Sequence, residues 1–429
     1  MIDRFFGVTA SGSTLRTELI AGATTWLTMA YIAFVNPVIL AEAGMDRGAV
    51  FVATCLAASG ATLLMALWAN YPIALAPGMG INAYFTYTVV KGMQFNWQVA
   101  LGAVFLSGLL FLVIALTPLR RWIVDAIPRS QKMAISAGIG LFLGIIALKD
   151  AGIVVASPDT LVTLGDLHAP AALLAASGFV VMVALDRLGV PGALIIGVLA
   201  AAGAGIVFGV SPFFGTVSAP PSLAPTFLAL DLGDALHLGL GTVVFVFLFV
   251  VLFDNTGTLI GVAHRAGLLD ADGRLPRARR VFATAALGAM GGAALGTSSV
   301  TSYVESAAGV KAGGRTGLVG VTVAVLFLLT LFLAPLAHSV PVYATAPALL
   351  FVACMMARGF AELDWEDVTE YAPAVVTVLA MPLTFSIATG IALGFIAYVA
   401  VKLLCGRIAE AGPVMSALAA LFVLKYAFF

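Results

Sequence analysis

The sequence predicts an all-α polytopic membrane protein with about fourteen transmembrane spans, arranged as two inverted seven-span repeats with broken third and tenth spans. Two observations predict this class. Hydrophobic residues make up 62% of the 429 positions and charged residues only 10%, a composition far from that of soluble domains. Apolar runs near bilayer-spanning length fill almost the whole chain, so we expect no sizeable extramembrane domain.

The individual spans are predicted from apolar runs between polar breaks. In the first half they lie near residues 19–41, 49–69, 72–90, 97–116, 131–149, 169–185 and 190–208. In the second half they lie near 238–262, 280–294, 296–311, 316–335, 341–357, 370–386 and 388–405. The domain prediction is a first repeat over residues 1–210, an extracytoplasmic connecting loop over 211–237, a second repeat over 238–405 and a C-terminal tail over 406–429. Because each half has an odd number of spans, the second is inverted relative to the first.

The distribution of basic residues predicts the orientation of the chain in the lipid bilayer. Only three of the 21 Lys and Arg residues, Arg47, Lys91 and Lys149, lie on the far side if the N-terminus is cytoplasmic. Cytoplasmic loops of membrane proteins carry an excess of Lys and Arg. We therefore expect a multi-pass protein of the cell membrane with both termini in the cytoplasm. The apolar tail could pack on the helical bundle or lie in the membrane interface.

Two spans at corresponding positions in the halves contain residues that break helices. The third span, YPIALAPGMGINAYFTYTVV, contains Pro77, Gly78 and Gly80. The tenth contains a run of small and β-branched residues from Gly296 to Thr301. Non-helical backbone at membrane depth is tolerated only where protein or a water-lined cavity covers it, and half-helix ends offer free N–H groups. The matching breaks therefore predict a transporter binding site.

Two carboxylates lie inside otherwise apolar spans. Asp254 interrupts the eighth span, with Thr258 one helical turn away, and Glu305 follows the break in the tenth span. An ionisable residue at this depth costs roughly 2.5 to 3.5 kcal/mol, which makes it a candidate functional residue. Either carboxylate could bind a ligand or take up a coupling proton; the structural alternatives are a protonated helix-packing residue for Asp254 and a helix cap for Glu305. Two carboxylates around one cavity favour a neutral or weakly basic ligand with several N–H donors.

Six further polar or aromatic side chains in the apolar spans are candidate ligand contacts. The side chain that follows the break in the third span, Asn82, can both donate and accept hydrogen bonds, although it could instead cap the half-helix. Aromatic rings could stack on a planar ligand, although aromatic residues in membrane spans usually serve packing. A hydroxyl in the first span fits helix packing equally well. The six candidates are Asn82, Tyr303, Ser306, Phe253, Thr25 and Tyr84.

The sequence contains none of the motifs that would indicate an enzyme, a metal site or a nucleic-acid partner. Its three cysteines are scattered without metal-ligand or redox spacing, and its four histidines fall at loop or span ends. There is no Gly-x-Ser-x-Gly elbow, no His-Glu-x-x-His motif and no phosphate-binding glycine loop. We therefore expect no catalytic residue, no metal and no cofactor other than a coupling proton. An intramembrane enzyme is only a remote alternative.

Five segments together resemble one family of transporters. They are RTELIAGATTWLTMAYIAFVNPVIL in the first span, NYPIALAPGMGINAYF around the first break, LFDNTGTLIGVAHRAGLLD around Asp254, GTSSVTSYVESAAGVKAGGRTGL around Glu305, and MPLTFSIATGIALGF near the end. These segments are similar to the AzgA-type branch of the nucleobase-cation symporters, the adenine, guanine and hypoxanthine permeases of the nucleobase-ascorbate transporter family. The resemblance covers nearly the full length of the chain.

The resemblance implies a uracil-permease-like fold, in which a core domain carries the substrate and a gate domain often forms a homodimer. It implies substrate-contacting carboxylates at Asp254 and Glu305 and a polar contact at Asn82. Thr258 occupies a position where relatives carry another polar side chain, and Asn255 departs from the family pattern. The resulting hypothesis is proton-coupled uptake of purine bases across the cytoplasmic membrane by alternating access. The alternative within transporters is an anion exchanger of the same inverted-repeat fold.

Overall fold

The computed structural model of the chain describes residues 2–117, 127–237, 241–270 and 275–428. Within these residues, nine helices are long and apolar enough to cross a membrane. Three further apolar helices in the same residues are shorter, at 10 to 17 residues. The protein is therefore a mostly helical membrane protein, as predicted. The predicted start of the second repeat, residue 238, and the last residue of the tail, 429, lie outside the described residues.

Helices follow one another along the chain with few extended segments between them. The α-helices of the first half are α1 (Ile2–Phe6), α2 (Leu15–Met29), α3 (Ile32–Ala41), α4 (Arg47–Leu64), α5 (Met79–Ala83), α6 (Trp97–Leu116), α7 (Arg129–Asp150), α8 (Pro170–Arg187), α9 (Ala193–Val207) and α10 (Leu232–His237). Those of the second half are α11 (Gly241–Arg265), α12 (Ala278–Leu295), α13 (Ser306–Lys311), α14 (Leu318–Thr330), α15 (Ala334–Ser339), α16 (Val342–Met356), α17 (Val368–Leu383), α18 (Ile387–Leu404) and α19 (Ile408–Phe428). The strands are β1 (Leu75–Pro77), β2 (Val154–Ser157), β3 (Leu161–Leu164) and β4 (Val300–Ser302). Short π-helical segments, Met65–Ala69 and Tyr84–Gly92, continue α4 and α5, and 3₁₀ segments, Leu331–Leu333 and Ala357–Glu362, follow α14 and α16.

The chain forms two compact units, and each unit takes residues from both predicted repeats. The first unit comprises the residues up to Leu116 together with Lys149–Ala348. The second comprises Thr117–Leu148 together with Leu349–Phe429. A boundary along the sequence separates the predicted repeats, whereas packing groups helices from both of them. The unit boundaries therefore differ from the predicted repeat boundaries.

The first unit contains the two interrupted spans, and their extended pieces pair with each other. Strands β1 and β4 form an antiparallel pair in which Leu75 faces Ser302 and Pro77 faces Val300. Every residue of both strands is buried. The predicted breaks in the third and tenth spans are therefore confirmed. The pairing satisfies backbone groups that a continuous helix would have satisfied within itself.

Two glycines allow the chain to make these breaks. Gly78 follows β1 in an extended conformation, and a Cβ atom there would lie 2.8 Å from Thr301 Oγ1. Gly296 ends α12 in the left-handed region with a φ of 89°, which residues with side chains rarely adopt. A Cβ atom on Gly296 would also lie 2.2 Å from Thr226 Cβ. Larger residues at either position would disturb the strand crossing.

Helix α2 packs closely against α13, the half-helix that follows the break in the tenth span. A Cβ atom on Gly309 of α13 would lie 2.0 Å from Thr25 Oγ1 in α2. The fully buried carboxylate of Glu18 in α2 accepts hydrogen bonds from the backbone amides of Arg315 (2.8 Å) and Thr316 (3.2 Å). These contacts fix the first span beside the tenth.

Within the second unit, one buried lysine joins three helices. Lys402 in α18 is fully buried, and its Nζ lies 2.7 Å from carboxylate oxygens of both Glu370 in α17 and Glu410 in α19. The ammonium group also donates a hydrogen bond to Thr369 Oγ1 at 2.8 Å. Because the charge is buried, its pairing with these carboxylates is needed for stability.

Replacing Lys402 with methionine is expected to lower the free energy of unfolding by about 2 kcal/mol, because Glu370 would lose its cation, whereas Glu410 would keep its pairing with Arg407 at 2.7 Å. Removing one partner of a fully buried ion pair destabilises a protein by about 3–5 kcal/mol. The expected loss is smaller here because the Glu410 side chain is 46% exposed, so water solvates it. Unfolding of the purified protein in detergent measures the difference. Arg129→Met is the control, since it removes an exposed pair with Glu362. Equal stabilities for both variants would contradict this role of Lys402.

The C-terminal tail forms helix α19 and belongs to the second unit. The Phe422 ring lies edge-to-face with that of Phe395 in α18, with centroids 6.3 Å apart. A kink at Gly412, with φ of 70° and ψ of 167°, precedes Pro413. The tail therefore packs on helices of the bundle, which is one of the two arrangements that its apolar sequence allowed.

Candidate functional site

Asp254 lies near the middle of α11 and is partly exposed. Its carboxyl group lies near the side chain of Thr301 in β4. Thr258, one turn further along α11, is also partly exposed. Phe253 packs its ring on that of Phe249, with centroids 4.7 Å apart. Asp254 therefore contacts the strand crossing and keeps part of its surface accessible.

The residue next to Asp254 holds α11 against the strand crossing. Asn255 is fully buried, and its side-chain oxygen accepts hydrogen bonds from the backbone amide (2.9 Å) and the hydroxyl (3.0 Å) of Ser302. Its amide nitrogen donates to the Val251 carbonyl oxygen at 2.8 Å. The sequence singled out Asn255 only as a departure from the family pattern. The structure shows that this side chain fixes Asp254 beside β4.

Glu305 lies immediately before the half-helix α13, and its side chain does not cap that helix. Instead, the Tyr31 hydroxyl donates a hydrogen bond to Glu305 Oε1 at 3.0 Å. Tyr31 is only 1% exposed and lies between α2 and α3. Sequence reasoning missed Tyr31. The available indication was that a tyrosine in an apolar span usually finds a hydrogen-bond partner for its hydroxyl.

Tyr303 and Ser306, on either side of Glu305, join the tenth span to the third. The Tyr303 hydroxyl donates to the Pro77 carbonyl oxygen at 2.6 Å. Ser306 Oγ accepts a hydrogen bond from the backbone amide of Ala74 at 3.0 Å. Both side chains are buried. In this conformation their polar groups hold the two interrupted spans together around Glu305.

Asn82 belongs to a buried polar network next to the strand crossing. Its amide nitrogen donates to Asn36 Oδ1, and its oxygen accepts from the Ser298 hydroxyl. Asn36 also donates to Thr54 Oγ1 at 2.7 Å and to Thr297 Oγ1 at 2.9 Å. The network joins the first half of the chain to the break in the tenth span. Asn82 keeps one amide hydrogen beyond these bonds, and Asn36 is a further member that sequence reasoning missed.

The two remaining candidates, Thr25 and Tyr84, are buried in helix packing. Thr25 Oγ1 lies against Gly309 and has no hydrogen-bond partner within the described residues. The Tyr84 ring packs edge-to-face on Phe247, with centroids 5.0 Å apart. Both positions fit the packing interpretation that the sequence also allowed.

The acidic side chains of the candidate site are Asp254 and Glu305. In the part of the chain that the structure describes, the Tyr31 hydroxyl donates a hydrogen bond to Glu305, and the Thr301 side chain lies near Asp254. No group of three His, Cys, Asp or Glu residues in the same part could hold a metal ion. The site therefore offers acceptors to N–H or O–H donors of a ligand and repels anions.

Comparison with known proteins identifies the family. The Permease family, Xan_ur_permease, matches residues 16–393, which include both interrupted spans and both carboxylates. The chain belongs to this family. It is 45% identical to the adenine permease AdeP of Escherichia coli K12, over 100% of this chain and 96% of that protein. It is 44% identical to the guanine/hypoxanthine permease PbuG of Bacillus subtilis, over 99% of each chain.

Among solved structures, the fold is similar to that of the transmembrane domain of a cyanobacterial bicarbonate transporter, BicA. The TM-score is 0.65, with 18% identity over 86% of this chain and 96% of that chain. At this identity the likeness concerns the fold alone.

Membership of the permease family confirms that the chain is a transporter and not an enzyme. The full-length relatives also confirm the predicted resemblance to adenine, guanine and hypoxanthine permeases.

Proposed function

We propose that this permease takes purine bases such as adenine, guanine and hypoxanthine into the cell together with protons. The observation that carries the proposal is the placement of Asp254 and Glu305 beside a pair of crossing strands, in a family whose relatives are named for these bases. Carboxylates accept hydrogen bonds from the ring and exocyclic N–H groups of a base. Backbone amides at the two breaks and the spare amide hydrogen of Asn82 would serve the acceptor atoms of the base.

The other candidate residues would complete the cavity around the base. Thr258 and Phe253 are partly exposed on α11, so they are the better placed for direct contact. The remaining four side chains would shape the site through the packing and hydrogen bonds described above. They are Tyr303, Ser306, Thr25 and Tyr84.

The proposed coupling ion is the proton, carried by Asp254. An ionised carboxylate makes movement through the membrane costly, whereas a protonated carboxylate is neutral. Binding of the proton and the base would therefore precede reorientation of the loaded site, which gives alternating access around a fixed position. This scheme uses no metal and no organic cofactor.

The finer architecture is also part of the proposal. We infer about fourteen spans in two inverted seven-span repeats, a cell-membrane location, cytoplasmic termini and a homodimer formed through the gate domain. The paired interruptions of the third and tenth spans support the inverted repeats. The scarcity of Lys and Arg on the far side supports the orientation.

An anion exchanger is the second candidate function, because the bicarbonate transporter BicA and the anion transporter SLC26A9 have a similar fold. Their TM-scores are 0.65 and 0.63, but their identities to this chain are only 18% and 12%. Such identities support similarity of fold alone. The two acidic side chains of the site disfavour a negatively charged ligand.

Uptake into proteoliposomes tests the proposal. Radiolabelled adenine, guanine, hypoxanthine, xanthine and uracil would each be offered with and without an inward proton gradient, alongside bicarbonate and sulfate. Gradient-stimulated uptake of a purine supports both the substrate class and the coupling ion. Uptake of a purine that ignores the gradient would refute proton coupling alone. Uptake of anions without any purine would refute the substrate class.

A further inference from the structure

Tyr31 is placed where it can control the orientation of the Glu305 carboxylate. Its hydroxyl lies 3.0 Å from Glu305 Oε1, and Glu305 is the hydrogen-bond partner of that hydroxyl within the described residues. The Thr28 hydroxyl lies 3.5 Å from the Glu305 carbonyl oxygen. The close packing of Thr25 on Gly309 holds α2 against α13. Both the backbone and the side chain of Glu305 are therefore fixed relative to the first span.

A tyrosine hydroxyl has a single hydrogen to donate. Because Tyr31 donates it to Oε1, the other carboxylate oxygen, Oε2, is the one that keeps both of its lone pairs for a ligand. A glutamine at position 305 would carry one acceptor oxygen and one donor NH₂ group. Tyr31 would hold the glutamine oxygen in place of Oε1, which forces the NH₂ group into the position of Oε2. The opposite orientation would leave the buried Tyr31 hydrogen unpaired, which is unfavourable.

We propose that Tyr31 is a specificity-determining positioning residue, which keeps a hydrogen-bond acceptor of Glu305 directed at an N–H donor of the base. The inference rests on the proposed function, because the donor belongs to the purine ligand. Removing the Tyr31 hydroxyl from the wild-type protein still leaves a carboxylate with two acceptor oxygens. In a Glu305→Gln background, the same removal frees the amide to turn its oxygen towards the ligand.

The test compares Tyr31→Phe, Glu305→Gln and the combined variant of the full-length purified protein. Equilibrium binding of tritiated hypoxanthine and adenine is measured for each. Tyr31→Phe alone is expected to weaken binding by about 2- to 10-fold, because the carboxylate keeps its acceptor oxygens and loses only its fixed orientation. Glu305→Gln alone is expected to weaken binding strongly. Adding Tyr31→Phe to it is expected to recover at least about threefold in affinity.

The control is Tyr71→Phe, which removes another buried hydroxyl. Tyr71 donates to the Pro276 carbonyl oxygen at 2.7 Å, so adding this change to Glu305→Gln is expected to recover no affinity. An equal or weaker affinity of the combined Tyr31 variant would overturn the proposal, because a merely structural loss adds to the first one. Failure of the proposed function gives different results, namely a wild-type protein that binds no purine or a Glu305→Gln variant that binds as the wild type does.

A second measurement uses Glu305→Gln alone, in case the combined variant does not fold. Hypoxanthine is compared with analogues in which each ring N–H is in turn replaced by an acceptor atom. Because the glutamine NH₂ group would lie in the Oε2 position, it can donate a hydrogen bond to an acceptor atom of the ligand. The analogue with an acceptor at the ring position that faces this NH₂ group is expected to bind at least about threefold more tightly than hypoxanthine. An unchanged ranking of the analogues would overturn the proposal.

Discussion

Glu305→Gln is expected to weaken the binding of the transported purine by about 10- to 100-fold, while the protein keeps its fold. The substitution replaces a charged acceptor with a donor, and hydrogen bonds to charged groups contribute about 1.5–3 kcal/mol. Each 1.4 kcal/mol corresponds to about a tenfold change in affinity. Binding of radiolabelled adenine, guanine and hypoxanthine to the purified protein measures the loss.

Glu42→Gln is the matched control for this substitution. Glu42 accepts a hydrogen bond from Tyr87 at 3.1 Å and pairs with Lys91, so the same chemical change occurs in the same unit. The pair is partly exposed, and its loss is expected to change purine affinity by less than about twofold. If the Glu305→Gln variant unfolds at the wild-type temperature and keeps wild-type affinity for every purine, Glu305 is not part of the binding site.

Asp254→Asn is expected to abolish proton-driven accumulation while purine binding is retained within about fivefold. Asparagine preserves the size of the side chain and a hydrogen-bond acceptor, but it cannot take up the coupling proton. A pH difference of one unit supplies about 1.36 kcal/mol per proton, enough for about tenfold accumulation. The variant is expected to equilibrate purine across a proteoliposome membrane without concentrating it.

Asp166→Asn is the control for the coupling experiment, since its side chain is 71% exposed in a loop. It is expected to accumulate purine as the wild type does. The decisive readout is the ratio of internal to external purine at steady state, measured with and without the gradient. Normal accumulation by the Asp254 variant would show that another group carries the proton.

The sequence could predict those features of the site that depend only on residue type and on neighbouring residues in the chain. Pro77 has no backbone N–H and Gly78 has low helix propensity, so the pair favours a break in a helix, and a carboxylate such as Asp254 is visible within an apolar run without any knowledge of packing. The hydrogen-bond partners of the site residues cannot be predicted in this way, because they lie far away in the sequence. Tyr31 and Glu305 are 274 positions apart in the chain, and only helix packing brings them within hydrogen-bonding distance.

The same distinction explains what the sequence could not say about the fold. The breaks in the third and tenth spans were predictable, but the register of β1 on β4 depends on contacts between the two halves. The direction of the apolar tail depended in the same way on its neighbours, since its Phe422 contacts Phe395 in α18. Membership of one compact unit or the other also cannot be read from an apolar run, because every span has a similar composition.

The pairing of β1 with β4 has a consequence for biogenesis. During synthesis, β1 reaches the membrane long before β4 leaves the ribosome, so its backbone N–H and C=O groups arrive without their eventual partners. Lipid cannot satisfy them, and water or the insertion machinery has to do so in the meantime. Closure of the strand pair is therefore a late step of assembly. A nascent chain that ends before Val300 lacks both the strand pair and Glu305 of the candidate site, however many of its helices have already been inserted.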